Sequence, residues 1–288
     1  MTEREAFHAP IVFVVALDCE AKPLISHFNL SRCHDIHAYR VFCSGSHWLI
    51  VSGVGKAACA NAVGFMAGLL HHTMLEFSVW INVGIAQHAE LPLGTCCWVS
   101  RAEDRALKRA LFPVSTVSLP CQAVPCITVD ETWTVNHEND QADEQVLHDR
   151  EASAFVFSAS RVSTLEWIHA FKVVSDNRDN PPDKIKTSQV RKWITSVLEP
   201  VGILIDHLQR MREPLIAFRS REDGLFNRLV GLHPYSESRR HQLRRLCRRL
   251  VAFKKEQALD WKQLEMMADS RSAIALLEGL VESLPSGP

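Results

Sequence analysis

The chain has 288 residues, 47% hydrophobic and 23% charged, with a formal net charge of −1. This is ordinary globular composition, which excludes a low-complexity or intrinsically disordered chain and allows a sizeable core. Near-neutrality also excludes bulk attraction to nucleic acid or anionic membrane, although residues 130–151 are acid-rich and the segment from Arg239 to Lys255 is strongly basic.

Residues 11–17 are a short run rich in β-branched and aromatic side chains, which predicts a buried strand. A helix is expected over 21–28, after an acidic loop carrying Asp18 and Glu20. Residues 39–43 and 48–51 read as a hairpin about Ser44-Gly45-Ser46. The Ala-rich stretch 57–72 has helical apolar spacing. Strands are expected at 79–83 and 95–100, an irregular proline-containing connection at 113–126, and a short strand at 126–129. A helix is predicted over 149–161 and a strand over 168–174. Strands interleaved with helices predict an α/β fold about a central sheet.

Asn180-Pro181-Pro182-Asp183 stops regular structure and marks a domain boundary. It divides residues 1–182 from an all-helical extension over 183–288. Within the extension, 188–211, 236–255 and 257–283 show helix-period spacing. Leu243, Leu246, Cys247 and Leu250 share one helical face, with arginines elsewhere. That cationic face is expected to be solvated or paired with the acid-rich segment 130–151; nucleic-acid or protein contact is the other reading.

Nine cysteines, an odd number with no C-x-x-C pair, argue against a disulfide framework and for a reducing, cytoplasmic setting. The first ten residues carry charges of both signs and no apolar signal core, and the run that follows is too short to span a bilayer. Gly53-Val54-Gly55-Lys56 lacks the spacing of a Walker phosphate loop and reads as a turn that lets backbone approach a ligand. His137-Glu138-Asn139-Asp140 is not H-E-x-x-H, and His71-His72 has no nearby acidic or Cys partner, so no metal site is expected.

Three short acidic segments carry the chemistry. They contain Glu20 after the first strand-like run, Glu151 in Asp149-Arg150-Glu151-Ala152, and Asp176 after Ser175 at the end of a third run. Two of the three follow or close a predicted strand, where α/β folds display reactive side chains. Three carboxylates at one pocket can activate a water, grip a sugar diol and protonate a leaving base. That set fits cleavage of an N-glycosidic bond.

The order of these segments resembles the nucleoside phosphorylase/nucleosidase superfamily, nearest the methylthioadenosine/S-adenosylhomocysteine nucleosidases. That branch opens with strand-A-M-E-E-E, whose last Glu falls on Glu20. Its S-G-I-G-K is matched by Ser52-Gly53-Val54-Gly55-Lys56, and its I-N-x-G-x-A-G in part by Ile81-Asn82-Val83-Gly84-Ile85-Ala86-Gln87. A G-D-x-V-V-S-type strand looks like residues 93–100, followed by M-E-A at Arg150-Glu151-Ala152 and I-S-D at Val174-Ser175-Asp176. Residues 183–288 lie outside the resemblance.

The resemblance implies a three-layer phosphorylase-like fold with a central mixed sheet and no cofactor. It implies that Glu20 activates water, Glu151 holds the ribose hydroxyls, and Asp176, oriented by Ser175, protonates the purine. Trp133 best matches the aromatic residue that stacks on the base. Val54, Gly55, Ile85 and Ala86 would form pocket loops, and a homo-oligomer is implied. The chain departs from the pattern at Arg150, where the family has Met, at Ile85, where it has a small hydroxyl residue, and at His88. An Ile cannot hold phosphate as a hydroxyl does, so with Glu20 retained hydrolysis is favoured over phosphorolysis. A degenerate nucleoside-binding module with a basic tail is the alternative from another class. Arg150 would either face solvent or meet an anionic group of the substrate.

Overall fold

The computed structural model describes residues 9–130, 145–182 and 185–283. The chain forms two compact units, Met1–Arg210 and Met211–Pro288.

The first unit is built on ten described strands in one mixed sheet. Strand β1 (Ile11–Val15) is Ile-Val-Phe-Val-Val and is buried along its whole length. Fully burying such a side chain stabilises by roughly 1.5–3 kcal/mol, which fixes β1 in the interior. It lies parallel to β4 (His47–Val51) on one side and β5 (Val79–Gln87) on the other. Strand β3 (Arg40–Ser44) returns antiparallel to β4 through a turn with Gly45 at φ 56°, and the two-residue β2 (Ser31–Arg32) closes that edge.

On its other side β5 runs parallel to β10 (Ile168–Asp176), with Lys172 opposite Gly84. Strand β10 pairs antiparallel with β6 (Cys96–Asp104), whose far end carries β7 (Arg109–Leu111). Strand β6 is parallel to β8 (Gln122–Thr128), and β8 to β9 (Leu147–Asp149), which returns to β5 at Gln87. Strands β5, β10, β6, β8 and β9 therefore close a ring, and β1, β4, β3 and β2 extend from it. The α/β mixed sheet matches the expectation.

Helices α1 (Asp18–His27), α2 (Lys56–Leu69) and α3 (Ala152–Ala159) join these strands, and α2 packs against α3. Helix α4 (Thr187–Ile194) packs against α1. Two local expectations are corrected. The acidic loop at Asp18 and Glu20 is the first turn of α1. Asp149 ends a strand, and the helix after it begins at Ala152.

Helix α5 (Leu198–Val230) runs through the division between units and continues past Pro214. In the second unit, α6 (Glu237–Ala252) buries Leu243, Leu246, Cys247 and Leu250 in one cluster with residues of α8 (Ser270–Glu282). The short α7 (Trp261–Glu265) adds Leu264. The α6 arginines find acids on α5: Arg244 and Arg248 pair with buried Glu222, and Arg244 also with Asp223. No helix among the described residues is long and apolar enough to cross a membrane.

Gly94 has φ +84°, and a Cβ there would lie 2.8 Å from Cδ1 of Trp193. Both backbone strain and overlap oppose a side chain at this position. Gly94→Ala should destabilise the protein by about 1–3 kcal/mol. Gly64→Ala, in the middle of α2 with open space around it, should stabilise it by about 0.5–1 kcal/mol. Urea unfolding of both variants checks the contrast.

Candidate active site

Strand ends β1, β5, β9 and β10 converge on one cavity of about 200 Å³. Glu20, Val54, Ile85, Ala86, Arg150, Glu151, Ser175 and Asp176 all line it. Gly55 touches it through Glu151, whose Oε1 accepts the Gly55 N–H at 2.7 Å. Trp133 and His137 to Asp140 lie outside the described residues.

Glu20 is 2% exposed. Its Oε2 accepts N–H groups of Ala16 and Leu17, at 3.0 and 2.8 Å, and its Oε1 that of Ile85 at 3.1 Å. The bond to Leu17 is the return half of a capping box, because Glu20 is the third helical residue and Leu17 the cap. A carboxylate offers about four acceptor sites, so three bonds leave one, on Oε1. Burial raises the Glu20 carboxyl from 4.5 to about 7, against the pull of Lys172 and the N–H groups. A raised carboxyl favours folding most while protonated, below about 4.5, and loses that contribution as pH rises through about 7.

Gly84 makes this approach possible. A Cβ there would sit 3.1 Å from Glu20 Oε1 and 3.3 Å from Lys172 Nζ. Lys172 is 1% exposed, and its ammonium meets Asp149 Oδ2 at 2.7 Å. Burial opposes its charge, but Asp149 and Glu151 outweigh it and raise its pKa. Asp149 accepts N–H groups of Glu151 and Ala152 at Oδ2 and the Thr128 hydroxyl at Oδ1. Burial would raise the Asp149 carboxyl, yet Lys172 and these bonds hold it below the ordinary range.

Glu151 is also buried, and burial followed by the neighbouring Asp149 raises its pKa against the pull of Lys172. The Ser175 hydroxyl donates to Asp176 Oδ1 at 2.6 Å. Burial raises the Asp176 carboxyl despite that bond. A buried carboxylic acid of raised pKa is suited to give a proton, and a carboxylate near 7 to take one.

Arg150 is exposed at the cavity rim and donates to the Asp130 carbonyl at 2.6 Å. His88 faces elsewhere: its Nδ1 accepts the N–H groups of Glu90 and Leu91. His148 lines the cavity, with Nε2 3.5 Å from the Arg105 guanidinium. Among the described residues no group of three or more His, Cys, Asp or Glu side chains is arranged to hold a metal ion.

Sequence reasoning gave no role to Lys172, Asp149 or Gly84. The available signal was a lysine inside the mainly apolar run Ala170-Phe171-Lys172-Val173-Val174, because a charge there needs a buried partner.

No protein-family model matches the sequence, and no curated protein does. Solved structures do match. An MTA/SAH nucleosidase superposes with a TM-score of 0.55 at 17% identity, over 70% of this chain and 96% of that one. The 5′-methylthioadenosine nucleosidase of Arabidopsis thaliana gives 0.54 at 16%, over 71% and 96%. Isoform 2 of uridine phosphorylase from Schistosoma mansoni gives 0.51 at 12%, over 70% and 86%. This chain has the nucleoside phosphorylase/nucleosidase fold. At these identities the fold is what is shared, and the nucleosidase-type fold agrees with the motif order in the sequence.

Lys172→Met should destabilise the protein by about 3–5 kcal/mol, because it strands the Asp149 charge in the interior. Adding Asp149→Asn should recover part of that loss. Urea denaturation of the two single variants and the double variant reads the coupling directly.

Proposed function

We propose that the chain hydrolyses the N-ribosidic bond of a purine-type nucleoside. The observation that carries this reading is that Glu20, Glu151 and Asp176, far apart in sequence, line one cavity. In the proposed reaction a water takes the remaining acceptor site of Glu20 and gives up its proton to that carboxylate. The ribose hydroxyls donate to the Glu151 oxygen not engaged by Gly55. As the bond to the base breaks, the oxygen of that water bonds to the anomeric carbon of the ribose and Asp176 protonates the departing base, with Ser175 holding the acid in place. Positive charge building on the ribose is stabilised by the surrounding carboxylates.

Hydrolysis is preferred to phosphorolysis for a local reason. Ile85 offers the cavity a backbone N–H already bound to Glu20 and a hydrocarbon side chain. Arg150 is the one Lys or Arg side chain among the described lining residues. The proposal includes a self-associating chain working in a reducing compartment, carried over from the resemblance and from the cysteine usage.

Free base should be released from adenosine, methylthioadenosine or S-adenosylhomocysteine without phosphate, as read by chromatography; release only with added phosphate would make the chain a phosphorylase. Glu20→Gln and Asp176→Asn should each lower kcat by about 10²–10⁴-fold while ligand binding persists. Normal turnover by both variants would remove these two residues from the reaction.

A riboside whose leaving group departs as a stable anion, such as 4-nitrophenolate, needs no acid. With it, kcat/KM should rise with pH through about 7 as Glu20 ionises. A rate that is flat across that range would exclude Glu20 as the base.

A further inference from the structure

All nine cysteines are free thiols, and five of them, Cys19, Cys59, Cys97, Cys126 and Cys247, are buried. Cys33 and Cys43 are different. Both are half-exposed, and their sulfurs lie 2.9 Å apart, with the Cys33 thiol donating to Cys43. A disulfide bond is about 2.05 Å long, so bonding needs an approach of about 0.9 Å. Residues joining the pair are already fixed. Cys33 N–H bonds the Val41 carbonyl beside the β2–β3 ladder. The Arg32 guanidinium donates to the carbonyls of Ile36, Tyr39 and Val41, which holds the intervening loop closed. Arg40 in the same segment pairs with Asp18 on α1.

We propose that Cys33 and Cys43 are a thiol-modification site that low-molecular-weight disulfides oxidise reversibly to an intramolecular bridge. The Cys43 sulfur, which accepts from Cys33, attacks one sulfur of the small disulfide. One small thiol leaves, and a mixed disulfide remains on Cys43. Cys33 then loses its proton, attacks the Cys43 sulfur and expels the second small thiol. In sum, two protein thiols and one small disulfide give one protein disulfide and two small thiols, with electrons and protons balanced. Burial, with the bond to Cys43, pushes the Cys33 thiol up to about 12, in keeping with its second place in the sequence. Holding both sulfurs in one rigid hairpin gives the closing step a high effective concentration.

The site is independent of the cavity chemistry, so its test does not rest on base release. The folded full-length chain is incubated with oxidised glutathione, and remaining thiols are blocked with N-ethylmaleimide. Trypsin cleaves after Arg32, Arg40 and Lys56, which puts Cys33 in peptide 33–40 and Cys43 in peptide 41–56. Mass spectrometry should find these two peptides joined, roughly tenfold or more above any other cysteine pair, and separated again by dithiothreitol. Cys33→Ser should trap the glutathione adduct on Cys43, because nothing displaces it. The proposal is overturned if the 33–40/41–56 link is missing from the folded protein, if it forms only in urea, or if another pair dominates. The pair to watch is Cys96 and Cys121, which also share a thiol hydrogen bond.

Discussion

One buried ammonium organises the site. Lys172 stands among Asp149, Glu151 and Glu20, where Coulomb interactions are far stronger than in water. Without that cation, carboxylates so close together in a dry interior would take up protons or be driven apart. Lys172 reaches this position because β10 lies beside β5 with Lys172 opposite Gly84, and Gly84 has no side chain to exclude it. The register of a central strand pair and the electrostatics of the cavity are therefore one constraint. A slip of one residue would turn Lys172 to the other face of the sheet and leave the acids without it.

The same acids are also structural members. Glu20 caps α1 and holds the backbone of β5, so the bonds that position it are those that shape its acidity. Asp149 satisfies the first N–H groups of α3 while neutralising Lys172. Glu151 ties that helix start to the glycine turn before α2 through Gly55. Glu20, Asp149 and Glu151 are thus each held by backbone N–H groups of rigid elements, which is the condition for preorganised chemistry.

The three acids themselves were legible in the sequence, because each sits in a short motif and two of those motifs follow or close an apolar run. Their common cavity was implied only by the order of those motifs. Other features left little local trace. Strand β9 is three residues long, too short for any periodicity, and exists because distant β5 and β8 pair with it. Its brevity is why Asp149 read as helical. The start of α1 was hidden because its cap is Leu17, which has no polar side chain to announce a helix. The helix-period spacing read over 188–211 stopped short, since α5 continues past Pro214 to Val230. Pairing of the α6 arginines with Glu222 and Asp223 depends on packing that no sequence window contains.

Chain order adds a consequence for how the molecule is made. Glu20, Asp149 and Glu151 all leave the ribosome before Lys172, the counter-ion they need. Strand β10 also enters between β5 and β6, so the ring of strands stays open until it arrives. A nascent chain that stops short of residue 176 therefore carries an unclosed sheet and a cluster of acids with no cation to gather them. Contacts of such long sequence separation form slowly. In this fold the site is the last part of the sheet to be born, and its charge balance is the sign that synthesis has passed it.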